Sequence, residues 1–92
     1  MEKRKIEAKY LKRVDLAKKF GVSEALTSRR VKEIQTELGR EDSRYSRYAI
    51  AGCLINVAVF IDWQTYREFL MNEETRDCVP PFDINEAERM VS

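Results

Sequence analysis

Histidine is absent from this 92-residue chain. That removes the side chain most often used as a general acid or base near neutral pH. Cysteine occurs twice, at Cys53 and Cys78, and not as a C-x-x-C pair. Two thiols without histidine cannot supply the four ligands of a structural zinc, so no metal is expected. In a reducing compartment both thiols are expected as small buried hydrophobes rather than as a disulfide. Glycine occurs three times and proline twice, too sparsely for a glycine-rich phosphate loop or a nucleophile elbow. No catalytic residue and no cofactor are expected, and an enzyme is not the natural reading. The longest apolar run, Val57–Ile61, is far too short to span a bilayer. The opening Glu2, Lys3, Arg4 and Lys5 lack the apolar stretch of a signal peptide. These absences together lead to the expectation of a cytoplasmic protein without a membrane partner.

What is present is an ordinary balance for one small domain, 43% hydrophobic and 36% charged. The net charge of +1 hides an asymmetry. Residues 1–50 carry 14 Lys and Arg against 8 Asp and Glu, a net +6; residues 51–92 carry 3 against 8, a net −5. A basic half beside an acidic half suits one face turned to nucleic acid and another turned away. The same asymmetry permits head-to-tail self-association.

The stretch Val14–Leu38, VDLAKKFGVSEALTSRRVKEIQTEL, organises the rest. Leu16, Ala17 and Phe20 fall at helical spacing before Gly21. Thr27, Val31, Ile34 and Leu38 recur at i, i+4, i+7 and i+11 after it. The spacing predicts two helices joined at Gly21-Val22-Ser23 and forced by so short a link to cross steeply. Gly21 suits a left-handed exit from the first helix, and Ser23 suits the N-cap of the second. Leu26 stands where a capping box needs Gln or Glu. If the apolar stripe faces inward, then Ala25, Arg29, Lys32 and Thr36 face outward, with Ser28 at the border. Arg29 can grip guanine with two hydrogen bonds, Lys32 can reach a base or a phosphate, and Ser28 and Thr36 can bond to either.

The remainder divides into three parts. Residues 1–10 read as a basic N-terminal arm, with a short lead-in strand over Lys9–Leu11 as the alternative to a frayed end. Residues 11–73 read as the body. Residues 74–92 read as a Pro80-Pro81 linker and a short acidic helix capped by Asp83 with Glu86. Within the body, residues 40–48, REDSRYSRY, form a polar loop. Tyr48 is expected in the core, and Arg44 and Arg47 on the DNA side. Tyr48–Ala51 and Cys53–Ile55 read as a hairpin around Gly52. The run from Val57 resembles a strand as far as Ile61. Yet Asn56 suits an N-cap, and Val59, Trp63, Tyr66 and Leu70 keep a helical stripe, so a helix is expected from Val57 to Asn72. Trp63, Tyr66 and Phe69 are expected in the core or on a homodimer surface. The fold class expected is mainly α with a small β-hairpin.

The segment LKRVDLAKKFGVSEALTSRRVKEI is similar to the helix-turn-helix of MerR-type and excisionase-type winged-helix proteins. The following REDSRYSRYAIAGCLINVAVFIDWQTYREFL resembles the wing and trailing helix of small DNA-binding proteins of Gram-positive phages and mobile elements. The likeness spans residues 10–71, with Thr27 where the motif carries a buried Val or Ile. It implies a winged helix-turn-helix that binds a specific duplex site, bends or coats it, and assists a site-specific recombinase, or represses a promoter. It implies that Ser28, Arg29 and Lys32 read the major groove, that Arg44 and Arg47 contact the backbone or minor groove, and that Lys12 holds a phosphate. The competing expectation is a protein-interaction module whose contact face is Trp63, Tyr66 and Phe69.

Overall fold

A computed structural model describes residues 9–91 of the chain. The expected basic arm therefore lies outside the described residues over 1–8. Helix α1 (Arg13–Phe20) and helix α2 (Glu24–Leu38) flank the three-residue turn. Gly21 takes φ +66°, and its amide donates to the Lys18 carbonyl while the Val22 amide donates to the Ala17 carbonyl. That pair of bonds is a Schellman cap, which needs a left-handed residue at the corner. Ser23 caps α2 by accepting a 3.0 Å hydrogen bond from the Leu26 amide. Ser23→Ala is expected to cost about 1 kcal/mol, read as a lower urea midpoint with an unchanged slope.

Thr27, Val31 and Ile34 on α2 are buried as the stripe demands. Thr27 is 0% exposed, and its hydroxyl donates to the Ser23 carbonyl at 3.0 Å. A β-branched side chain that satisfies its own hydroxyl can stand where an aliphatic residue would. The stripe continues less cleanly. Glu37 is buried and Leu38 only half-buried. Gly39 follows α2 with φ −82°, so its left-handed freedom is not used.

Three short strands form one antiparallel sheet in the order β1–β3–β2, where β1 is Tyr10–Leu11, β2 Ile50–Ala51 and β3 Leu54–Asn56. Ile50 faces Ile55 and Ala51 faces Leu54 across the hairpin. Gly52 has φ +63° and Cys53 does not have a positive φ, the pattern of a two-residue turn with glycine first. Leu11 pairs with Ile55 on the other side, so the expected hairpin gains a third strand from the lead-in segment. That strand relieves the marginal stability of a lone hairpin.

Strand β3 runs without a loop into helix α3 (Val57–Leu70). Asn56 ends the strand, and its carboxamide oxygen accepts from the Val59 amide at 3.1 Å. Val57, Ala58, Val59 and Phe60 are all buried. A first turn apolar on every side is a helix enclosed on every side, which is why the run resembles a strand in sequence. Helix α3 stops two residues short of expectation, and Asn72 then accepts from the Glu74 amide. Both cysteines are free and exposed, contrary to the expectation of burial. Cys53 occupies the second turn position of the hairpin, and Cys78 ends a short 3-10 turn, so neither reaches the core.

The C-terminal segment packs on the body through Val79, Phe82 and Ile84. Phe82 meets Tyr45 edge-on at 5.1 Å and stacks near Tyr48 at 6.4 Å. Helix α4 (Ile84–Val91) is capped by Asp83, which accepts from the Asn85 and Glu86 amides. Asn56 donates its side-chain amide to Glu88 at 2.9 Å, and Lys9 pairs with Glu88 at 3.3 Å. Among the described residues no helix is long and apolar enough to cross a membrane.

Candidate nucleic-acid interface

The inner face of α2 carries two carboxylates one turn apart, Glu33 and Glu37, and both point at arginines from elsewhere in the chain. Glu33 accepts from Trp63 Nε1 at 2.9 Å, from Arg67 Nε and Nη2 at 2.9 Å each, and from Arg30 Nη1 at 3.1 Å. Glu37 accepts from the Arg44 amide at 2.7 Å and from the Arg76 guanidinium. Arg76 also donates to the Leu70 carbonyl at 2.9 Å and the Asp42 carbonyl at 3.2 Å. These bonds lock α2 against α3 and the segment after it, and so fix which face of α2 is turned out.

Burial works to raise the Glu33 carboxyl. The hydrogen bonds from Arg67 and Trp63, with the charges of Arg67 and Arg30, outweigh it and hold the group below its ordinary 4.5. A depressed folded-state value stabilises the fold above the unfolded value and is lost as pH falls through the folded one. The wild type should therefore lose stability below pH about 4.5 more steeply than Glu33→Gln, measured by urea unfolding across the acid range.

The outer face of α2 is different. Ala25, Arg29, Lys32 and Thr36 are exposed, and Ser28 is half-buried at the border, as the spacing predicts. Among the described residues Arg29 and Lys32 make no ion pair, and neither do Lys12, Arg13, Lys18, Lys19 and Arg47. By contrast Arg30, Arg40, Arg44, Arg67 and Arg76 are all paired. The cations left to the solvent thus concentrate on α1, its N-cap and α2, with Arg47 before the hairpin and Arg89 on α4 as the others. Between Lys12 and Lys32 the acids are Asp15 and Glu24, each in the first turn of its helix. There they complement the helix dipole.

Arg44 is the expected site residue that the structure places elsewhere. Its guanidinium is held by Asp62 through Nε at 2.7 Å and Nη2 at 3.2 Å, with a side chain only 9% exposed. It lies over the Tyr66 and Phe82 rings at 5.5 and 5.8 Å, and Tyr45 Oη donates to the same carboxylate at 2.6 Å. A desolvated fork with a matching carboxylate and two rings has no reason to turn outward. Arg47 is exposed, as expected, and Tyr48 packs half-buried against the core. Trp63, Tyr66 and Phe69, expected in the core or on a homodimer surface, divide between core and surface. Trp63 is buried, Tyr66 is half-buried beneath Arg44, and Phe69 alone is openly exposed, at 51%.

No protein-family model, curated protein or solved structure matches this chain. Arg13, Lys18 and Lys19 are exposed cations on α1 that were not among the expected site residues. The signal was there: with Leu16, Ala17 and Phe20 turned inward, the lysine pair between them must face water.

Proposed function

We propose that the chain is a winged helix-turn-helix protein of the cytoplasm that binds double-stranded DNA in a sequence-specific manner and has no catalytic role. In this reading α2 lies in the major groove, the β2–β3 hairpin is the wing, and Lys12, Lys18 and Lys19 meet phosphates. The observation that carries it is the division of the cations. Those facing inward are all neutralised by carboxylates, whereas those on α1 and the outer face of α2 are left without a partner among the described residues. Long cationic side chains held unpaired on one short two-helix unit suit a polyanion. The excisionase-like role, in which such a protein shapes DNA for a recombinase, is the form we favour from the sequence resemblance; a repressor built on the same domain would bind DNA in the same way.

Arg29→Ala is expected to weaken binding by about 1–3 kcal/mol and to relax preference at one base pair. A gel-shift titration against DNA flanking the protein's own gene measures both. Unchanged affinity and unchanged preference in that variant would remove α2 from the interface.

A further inference from the structure

The groups on the outer stripe of α2 are narrower in chemistry than their residue names suggest. Ala25, Arg29, Lys32 and Thr36 share an arc of roughly 60° on a helix of 3.6 residues per turn. Ala25 offers a methyl group. Arg29 and Lys32 offer donors alone, and neither is paired among the described residues. Thr36 has already used its one hydroxyl proton, because Oγ1 donates to the Lys32 carbonyl at 3.1 Å. Toward a groove it presents a methyl group and a hydroxyl lone pair. The stripe therefore combines donors with methyl groups and contains no carboxylate or carboxamide. On the same helix Glu33 and Glu37 are turned inward and consumed by arginines, and Glu24 stands exposed in the first turn, outside the stripe.

In the major groove the four bases answer such a surface differently. Guanine shows two acceptors, N7 and O6. Thymine shows the O4 acceptor and a methyl group. Adenine and cytosine show amino donors, which need an acceptor from the protein. A face of donors and methyl groups fits guanine and thymine and leaves the amino groups of adenine and cytosine without a strong partner. From Ala25 to Thr36 the helix runs about 16 Å, enough to overlook about five base pairs.

We infer that α2 reads a run of keto bases on one strand, with guanine opposite Arg29 and thymines opposite Ala25 and Thr36. This rests on the DNA-binding reading above and specifies its target. Arg29 grips guanine N7 and O6, Lys32 donates to a neighbouring guanine O6 or thymine O4, and the methyl groups of Ala25 and Thr36 pack on thymine methyls. Preference for G and T on that strand then comes as much from the carboxylates and carboxamides this stripe lacks as from the donors it has.

The test is selection of the full chain on duplexes randomised over one helical turn, followed by titration of the enriched duplex. The expected motif has guanine and thymine on one strand, with adenine and cytosine depleted there. Arg29→Ala loses the guanine preference, worth about 5- to 150-fold in affinity. Replacing thymine by uracil opposite Thr36 removes the base methyl and weakens the wild type by about 3- to 4-fold. Thr36→Val keeps the protein's methyl group and preserves that discrimination, whereas Thr36→Ser loses it. Both variants alter an exposed position, and circular dichroism checks that they fold. A motif with adenine or cytosine at the Arg29 position, or loss of preference in Thr36→Val, overturns the inference while leaving DNA binding intact. Uniform binding to every duplex does the same. Recovery of no duplex at any sequence overturns the DNA-binding reading itself.

Discussion

Replacing Arg76 by Ala is expected to lower the unfolding free energy by about 3–5 kcal/mol, the usual result of stranding one member of a buried ion pair. Glu37 is 3% exposed, and its carboxylate is answered by the Arg76 guanidinium and the Arg44 amide. Without the guanidinium a buried charge keeps one neutral donor. The Leu70 and Asp42 carbonyls lose their donors as well. A domain of this size has about 5–15 kcal/mol in all, so the variant should unfold at a much lower urea concentration. Removing both charges together, as Arg76→Met with Glu37→Met, should recover most of the loss, because two desolvated charges are then replaced by apolar volume. A single variant within 1 kcal/mol of wild type would mean that the pair does not hold the post-α3 segment to α2.

The second large effect concerns binding. Neutralising Lys18, Lys19, Arg29 and Lys32 together is expected to weaken duplex DNA binding on the order of 100-fold at low salt. The slope of log affinity against log salt should shrink by about 3–4, close to one per phosphate contact removed. The fold should survive, since all four are exposed and make no ion pair among the described residues. Arg40→Ala is the control for a cation that the fold already pairs. Arg40 is engaged by Asp42 at 2.8 Å and Glu73 at 2.8 Å and should leave the slope unchanged. Gel-shift titration at several salt concentrations separates the two, with the urea midpoint reporting on folding. An equal loss per charge removed in the two variants would reduce the effect to bulk charge.

Local rules located most of the elements. The Gly21 corner, the Ser23, Asn56 and Asp83 caps and the Thr27–Ile34 stripe follow from spacing and backbone chemistry, and the structure has them all. The outward positions of α2 were legible for the same reason, since a helix with one buried face fixes the other. Three pairings were not legible, even where an element itself was, as with the lead-in strand, because each depends on a partner distant in sequence. Arg44 meets Asp62 across 18 residues, Glu37 meets Arg76 across 39, and Tyr10–Leu11 pair with a strand more than 40 residues on. Periodicity cannot say which arginine finds a carboxylate. It therefore cannot separate the cations that fasten the fold from those left for a ligand. The cysteines failed for a related reason: composition favours burial, but a turn position overrides it.

The measurement that bears most directly on the central claim is the affinity of the wild-type chain for duplex DNA as salt rises from low to physiological concentration. Lys12, Arg13, Lys18, Lys19, Arg29 and Lys32 are unpaired in the described fold, so the slope of log affinity against log salt should lie on the order of −4 to −6. Binding that is absent, or that does not change with salt, would contradict it.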